Sequence, residues 1–316
     1  MPKVAILGGT GFVGKHLIHR LTERGWHVVA LTRWREKNRD LLVLPTVKLV
    51  SANPYQPKQL NPQLAGCDAV INLVGILNEV GSDGAGFRKA HVELPQRVVE
   101  ACRVNNIKRL LHMSALHADA VNGKSHYLRT KGEAEDYVHS KSDLQVTSFR
   151  PSVIFGEDDS FFNRFAQILK LPALFFPVPC PNARFAPVWV DDVVEAIIRS
   201  LENEQHIGKR YDLCGPNIYT HRELWEQTAK WLGLRRWAFP LSDANTQRLA
   251  RLGDLLPIKP FSMDNYLSLQ KDSICQKSHF SELGITPTSV EAIMPRHFAA
   301  TTPRGHYSRF RALSHR

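Results

Sequence analysis

The apolar positions of this chain fall into short unbroken runs separated by stretches of helical spacing. The runs are Val4–Leu7, His27–Thr32, Val47–Val50, Asp68–Gly75, Lys108–Ser114 and Val146–Phe155. Each predicts a strand buried on both faces of a parallel sheet. Between them, Phe12–Leu21 sets Val13, Leu17, Ile18 and Leu21 on one side, as a helix would. Phe87–Asn105 does the same with Val92, Val98, Val99 and Cys102, and Tyr127–Ser140 predicts a third helix. Strands alternating with helices predict an α/β fold, a Rossmann-type doubly wound parallel sheet with helices on both faces. Asn53–Pro62 reads as turns leading into a short connection, and Glu79–Gly86 as a glycine-containing loop expected to be mobile.

After Gly156 the pattern changes. Pro172, Pro177, Pro179, Pro181 and Pro187 interrupt an apolar stretch holding Phe175, Phe176 and Phe185. That stretch is either the lining of a substrate or quinone-like pocket or plain core beneath a proline-rich loop. Helices are expected at Asp191–Glu202, with its opening acids favourable for the dipole, at Arg222–Leu232, capped by Thr220, and at Gln247–Leu256. The expected division is residues 1–155, a smaller mixed α/β region over 156–295 with segments packing back on the first, and a basic tail over 296–316.

The first strand runs into three glycines, Gly8, Gly11 and Gly14, and then into a helix. A strand, a glycine turn and a helix N-terminus together make an anion site, where free N–H groups and the helix dipole face a pyrophosphate. Gly8 permits the turn, Gly11 the close approach of backbone to phosphate, and Gly14 close helix–sheet packing. A tight turn without a ligand would also carry glycines, but the strand before and the helix after are the context of a dinucleotide site. Residues 1–155 are thus expected to bind a dinucleotide.

At the end of the second strand a cofactor with a free 2′-hydroxyl wants an acid. Arg33 stands there, followed by Arg35, Lys37 and Arg39. A guanidinium pairs a 2′-phosphate bidentately, so NADP(H) is favoured over NAD(H). A basic surface loop is the alternative, partly neutralised by Glu36 and Asp40.

Three further residues carry chemistry. Tyr127 and Lys131 are four apart in YLRTK and share a helix face, and Ser114 ends the preceding strand. An ammonium close to a phenol lowers its pKa, so such a tyrosine exchanges a proton with a carbonyl or hydroxyl oxygen that the serine holds. An ordinary solvated helix pair is the alternative. The histidines nearby, His112, His117 and His126, are assigned no chemistry, and no metal site is expected.

Composition narrows the classes. The chain has 316 residues, 43% hydrophobic, which suits one large or two modest globular domains. No run reaches the ~18 apolar residues of a membrane span, and no secretory leader precedes the first strand, so a cytoplasmic location is expected, with the inner membrane face as a second location. Cys67, Cys102, Cys180, Cys214 and Cys275 lie far apart and read as reduced thiols. Net charge is +11. Arg296, Arg304, Arg309, Arg311 and Arg316 follow the last acid, Glu291. This tail is either an arm for an anionic membrane, nucleic acid or acidic partner, with Phe298, Tyr307 and Phe310 to dock, or a solvated extension. No RNA-binding module is visible, so a nucleic-acid role is disfavoured.

With these residues in place the chain resembles the short-chain dehydrogenase/reductase superfamily. The G-x-x-G-x-x-G spacing at Gly8, Gly11 and Gly14 is that of its extended and atypical members. NLVGIL (Asn72–Leu77), RPSVIFGEDDSFFNRFA (Arg150–Ala166), PVWVDDVVEAI (Pro187–Ile197), YDLCGPNIYTHREL (Tyr211–Leu224) and MDNYLSL (Met263–Leu269) are similar to bacterial relatives of the nucleotide-binding accessory subunit of mitochondrial complex I. The resemblance covers the chain to about Pro287. It implies that Gly8, Thr10, Gly11, Phe12 and Val13 hold the pyrophosphate and Arg33 the 2′-phosphate. It implies that Leu73, Val74 and Gly75 line the cofactor's middle, that Met113 contacts the cofactor, that Pro151, Ser152 and Val153 close over the nicotinamide, and that Ser114, Tyr127 and Lys131 are catalytic, with Lys131 also on the ribose. The sequence departs where relatives carry Gly-Asp after the third strand: Ser51, Ala52 and Asn53 stand there, and Asn53 is the candidate for adenine. Two functions follow. One is an NADPH-dependent oxidoreductase or epimerase-like enzyme acting on a small or lipophilic substrate. The other is a non-catalytic NADPH-binding accessory or assembly protein of a respiratory or quinone-related system.

Overall fold

The computed structural model describes residues 1–256 and 259–301. Its first half alternates strand and helix: β1 (Lys3–Leu7), α1 (Phe12–Glu23), β2 (His27–Thr32), β3 (Val47–Ser51), α2 (Pro57–Leu64), β4 (Ala69–Asn72), α3 (Ala85–Arg88), α4 (Leu94–Val104), β5 (Arg109–Met113), α5 (His126–His139) and β6 (Gln145–Pro151). There follow β7 (Ile154–Phe155), α6 (Phe162–Leu169), β8 (Phe175–Val178), β9 (Arg184–Phe185), β10 (Val188–Trp189), α7 (Val190–Glu202), β11 (Arg210–Leu213), β12 (Tyr219–Thr220), α8 (His221–Trp231), β13 (Trp237–Pro240), α9 (Asp243–Asp254), α10 (Met263–Ser268) and α11 (Val290–Thr301).

Seven strands form one sheet in the order β11-β6-β5-β4-β1-β2-β3, all parallel. The chain first winds outward from β1 to β3, then returns to β4 on the other side of β1. The C-terminal ends of β1 and β4 therefore part the loops at a crevice, the switch point where open α/β sheets take ligands. Alternate strand residues feed two cores. Val4, Ile6, Val28, Ala30 and Ile71 pack against Leu17, Ile18 and Leu21 of α1 and Val193 and Ile197 of α7. Ala5, Leu7, Val29, Leu31 and Val70 pack against Leu60 and Leu64 of α2, Val98 and Cys102 of α4, and Val138 of α5. This is the period-2 geometry of a strand buried on both faces.

Four readings change. The turn-rich stretch after β3 contains α2: Pro57 opens it, where a missing N–H costs nothing, and Leu60 and Leu64 one turn apart anchor it. The strand read to Gly75 ends at Asn72, whose Oδ1 accepts the Val74 N–H at 3.2 Å and turns the chain away. The run read to Phe155 breaks after Pro151, and β7 pairs with β10 instead. The sheet also has a seventh strand, β11, which runs from Arg210 into the stretch YDLCGPN.

The C-terminal region has its own core, where Phe162, Phe165, Phe176, Phe185, Leu224, Trp225 and Phe298 cluster. Phe298 lies in α11, so the region does not end at residue 295: the helix runs to Thr301 and carries a buried phenylalanine into the core. Arg304, Tyr307, Arg309, Phe310, Arg311 and Arg316 lie outside the described residues. Cys214 and Cys275 form a disulfide, against the expectation of reduced thiols; β11 and the segment after α10 meet there, which 61 residues of separation hid. Cys67, Cys102 and Cys180 are free. Among the described residues no helix is long and apolar enough to cross a membrane, and no acid, histidine and cysteine cluster could hold a metal.

Candidate functional site

The glycine turn sits at the switch point. Gly8 has φ +80°, and a Cβ there would lie 3.0 Å from the Leu73 carbonyl carbon, so only glycine lets the β1 and β4 ends approach. Gly14 presses α1 onto the turn, since a Cβ would fall 2.4 Å from the Gly8 oxygen. Gly11 is the N-cap of α1 and supplies no side-chain cap, and the first turn carries no acid. The N–H groups of Phe12, Val13 and Gly14 are thus left to an external acceptor, with the positive end of a 12-residue helix behind them. These residues fit a pyrophosphate.

Beyond β2, Arg33 is exposed, and its guanidinium has no ion pair or hydrogen bond with any described residue. Its charge reaches the half-buried Tyr55, whose phenol burial pushes up. Asn53, the adenine candidate, accepts the Tyr55 N–H on its Oδ1 at 3.1 Å.

The catalytic candidates gather where β5 ends and α5 begins. Ser114 follows β5 and is buried, and its Oγ has no partner among the described residues. Helix α5 brings Tyr127 and Lys131. Lys131 Nζ donates to the Met113 carbonyl at 3.0 Å, directly beside Ser114, and burial pushes its amine down to about 8. The expected ammonium–phenol contact is absent. Tyr127 packs edge-on against Phe87 and His91 and is pushed up to about 12 by burial and then by the Asp264 carboxylate. The physical reason is that a buried amine takes the nearest strong acceptor, here a strand-end carbonyl, whereas the phenol lies in an aromatic cage. Gly75 closes this cluster, for a Cβ there would lie 3.1 Å from Lys131 Nζ.

Several residues of the site went unread. His91, on a π-helical turn (Lys89–Glu93) between α3 and α4, accepts the Ile76 N–H at Nε2 (3.0 Å) and so donates from Nδ1 to Thr130 Oγ1 (3.0 Å). Burial holds it neutral, down to about 2. His112, two residues before Ser114 on β5 and assigned no chemistry from the sequence, is pushed down to about 3 by burial, and its Nε2 has no partner among the described residues. Asp264 of α10 accepts the His126 N–H at 2.6 Å and the Tyr127 N–H at 3.3 Å, closing the N-terminus of α5. The stretch MDNYLSL that holds it was visible, but nothing local says which helix it caps. Glu79 accepts the N–H groups of Gly84 (2.7 Å), Gly86 (2.7 Å) and Phe87 (3.3 Å). The loop expected to be mobile is therefore knotted on a buried carboxylate. Glu135, one turn beyond Lys131, ion-pairs with Arg150 (2.7 Å) and Arg210 (2.8 Å), fastening α5 to β6 and β11.

The remaining expected contacts divide. Leu73, Val74 and Gly75 lie at the crevice beside Gly8 and Lys131. Thr10 lies within the glycine turn that opens α1. Pro151 ends β6, and Val153 joins the C-terminal core. Ser152 turns away: its Oγ bonds to the Ser273 carbonyl at 2.7 Å. Asp191 and Asp192 do more than open α7: Asp191 pairs with His16 of α1 at 2.8 Å, and Asp192 accepts the Thr288 N–H at 2.6 Å.

Comparison with known proteins agrees with this geometry. A family profile described as NAD(P)H-binding matches residues 8–164. The chain is 25% identical over 299 residues to the Arabidopsis thaliana NADH dehydrogenase [ubiquinone] 1 alpha subcomplex subunit 9, mitochondrial, covering 89% of this chain and 73% of that protein. It is 27% identical to a ceramide reductase of Caulobacter vibrioides over 62% of this chain and 59% of that one. Its fold matches a dTDP-glucose 4,6-dehydratase of Streptomyces venezuelae solved with NAD, with TM-score 0.72, 17% identity, and 97% and 99% of the two chains covered. The chain carries an NAD(P)H-binding domain, homologous to the subunit 9 proteins of complex I and sharing its fold with short-chain dehydrogenase/reductase and epimerase structures.

Proposed function

We propose that the protein is an NADPH-dependent reductase of the short-chain dehydrogenase/reductase type acting on a small or lipophilic carbonyl substrate. The observation that carries this reading is the Ser114 hydroxyl, buried and unpartnered between the lysine-bearing carbonyl of Met113 and helix α5. A buried hydroxyl without a partner is costly, which supports a ligand oxygen there. The bound nicotinamide supplies the hydride. Ser114 donates to the carbonyl oxygen and orients it. Tyr127, whose raised pKa keeps the phenol protonated at neutral pH, gives that oxygen its proton. Lys131 supplies positive charge beside Ser114, from its place on the Met113 carbonyl. The free Arg33 guanidinium supports the 2′-phosphate, and hence NADPH over NADH. Losing that charge-assisted contact should weaken NADPH by about ten- to hundredfold. Calorimetric titration of both cofactors against wild type and Arg33→Ala tests it, and equal affinities would sink the preference.

A second reading is favoured by the similarity to complex I subunits along most of the chain: a non-catalytic NADPH-binding accessory protein of a respiratory assembly. Complementation of a deletion strain separates the two. Gly11→Asp, which sets a carboxylate against the pyrophosphate, abolishes function under either reading. Tyr127→Phe abolishes it only if the protein is an enzyme.

A further inference from the structure

Strands β8 and β13 pair in parallel, with Phe175 opposite Trp237 and Pro177 opposite Phe239. The inward partners, Phe176 and Ala238, belong to the C-terminal core. The outward row is bare: Phe175 and Trp237 are each 67% exposed and Phe239 58%. Leu171 and Leu174, just before β8, are also exposed, with the Leu174 carbonyl accepting the Trp237 N–H at 2.9 Å and the Leu171 carbonyl held by Arg236 at 3.4 Å. Five large apolar side chains exposed on these hydrogen-bonded neighbouring segments exceed what scattered surface residues explain.

The charge around the patch is mostly basic; Glu226, which lies beside Arg236 and Lys230, is itself held by Arg222 at 2.7 Å. From Ser160 to Val190, and from Gln227 to Ser242, there is no acidic residue. Lys170, Lys230 and Arg235 are exposed in these segments, and Arg236 lies beside them. Such a rim repels a second copy of the same face, and it repels the arginine-rich tail. It suits an anionic surface, and aromatic and leucine side chains ringed by lysine and arginine are the chemistry of a bilayer interface.

We infer that the β8–β13 face is a docking surface for an anionic lipid bilayer, with Phe175, Trp237 and Phe239 entering the headgroup boundary and Lys170, Lys230 and Arg235 meeting the lipid charge. This holds whether or not Tyr127 performs chemistry.

Co-sedimentation of the full chain with phosphatidylcholine–phosphatidylglycerol vesicles, against phosphatidylcholine alone, tests it. Wild type associates with the anionic vesicles, and more weakly at high salt. Phe175→Ser/Trp237→Ser lowers the partition by roughly tenfold or more, with an unchanged thermal midpoint. Lys170→Glu/Arg235→Glu lowers it as well, and decides the matter should the first variant fail to fold. A variant neutralised at Arg304, Arg309, Arg311 and Arg316 keeps association. The proposal is overturned if wild type shows no preference for anionic vesicles. It is overturned equally if the charge-reversal variant binds as wild type does, if tail neutralisation alone abolishes binding, or if the patch variant changes only the oligomeric state seen by light scattering.

Discussion

Lys131 is an amine held where water would otherwise hold it. Its folded pKa, about 8, lies below the ordinary 10.5 because burial disfavours the charge. Below pH 8 both folded and unfolded chains carry the proton, and the folded state bears the full cost. Between 8 and 10.5 the folded state releases it while the unfolded state keeps it, so stability rises with pH. Denaturant titrations should therefore show wild type gaining on Lys131→Met from pH 7 to pH 10, by on the order of 1–3 kcal/mol. A constant gap between the two proteins would mean an ordinary lysine. Tyr127→Phe removes one hydroxyl from an aromatic cage and should leave the thermal midpoint and NADPH affinity close to wild type. Carbonyl reduction should fall roughly 10²–10⁴-fold. Undiminished reduction would exclude the phenol as proton donor.

Helix α5 is the element on which the site depends, and it is held at both ends by other parts of the chain. Ser125 caps it locally, accepting the Leu128 N–H at 3.1 Å, while Asp264 arrives from α10 to take the two preceding N–H groups. Asp264→Ala should cost about 1–2 kcal/mol in a chemical denaturation experiment, the scale of a lost cap with its charge at the helix dipole. It should also lower the Tyr127 pKa, because the carboxylate now raises it. A pH-difference spectrum of phenolate formation against wild type reads that shift, and its absence would separate the cap from the phenol. The local cap, Ser125, is a short-range signal beside the helix start, although the helix was read from Tyr127 without it. The distant one was not legible, because Asp264 lies 138 residues from His126, whose N–H it accepts, and no spacing rule spans that interval.

At the scale of the molecule, two features tie the C-terminal region down. The Cys214–Cys275 bond closes 61 residues of chain, and loop-closure entropy gives it a worth of roughly 2–4 kcal/mol. Cys275→Ser, or reductant, should lower the denaturation midpoint correspondingly, and coincident curves with and without reductant would argue that the bond does not form in solution. Helix α11 buries Phe298 against Trp231. Ending the chain at Pro295 should therefore destabilise it by at least the ~1.5–3 kcal/mol of a buried aromatic, visible as a lower thermal midpoint. An unchanged midpoint would place the fold's boundary before this helix.

What the sequence determined by itself is the part of the molecule written in short-range pattern. Unbroken apolar runs specified six parallel strands, 3.6-residue spacing specified α1, α4 and α5, and Gly8 and Gly14 stand where the turn tolerates no Cβ. The placement of Ser114, Tyr127 and Lys131 was legible for the same reason, each lying at the end or start of an element that the pattern already marked. Tertiary structure alone decided the rest. It set Lys131 on the Met113 carbonyl and left the phenol to Phe87 and His91, because desolvation ranks acceptors by what surrounds them in space. It joined Cys214 to Cys275, turned Ser152 toward Ser273, and laid Phe175 beside Trp237 on an open face. These are pairings across tens of residues, fixed by how the layers stack, and the local spacing of side chains contains no trace of them.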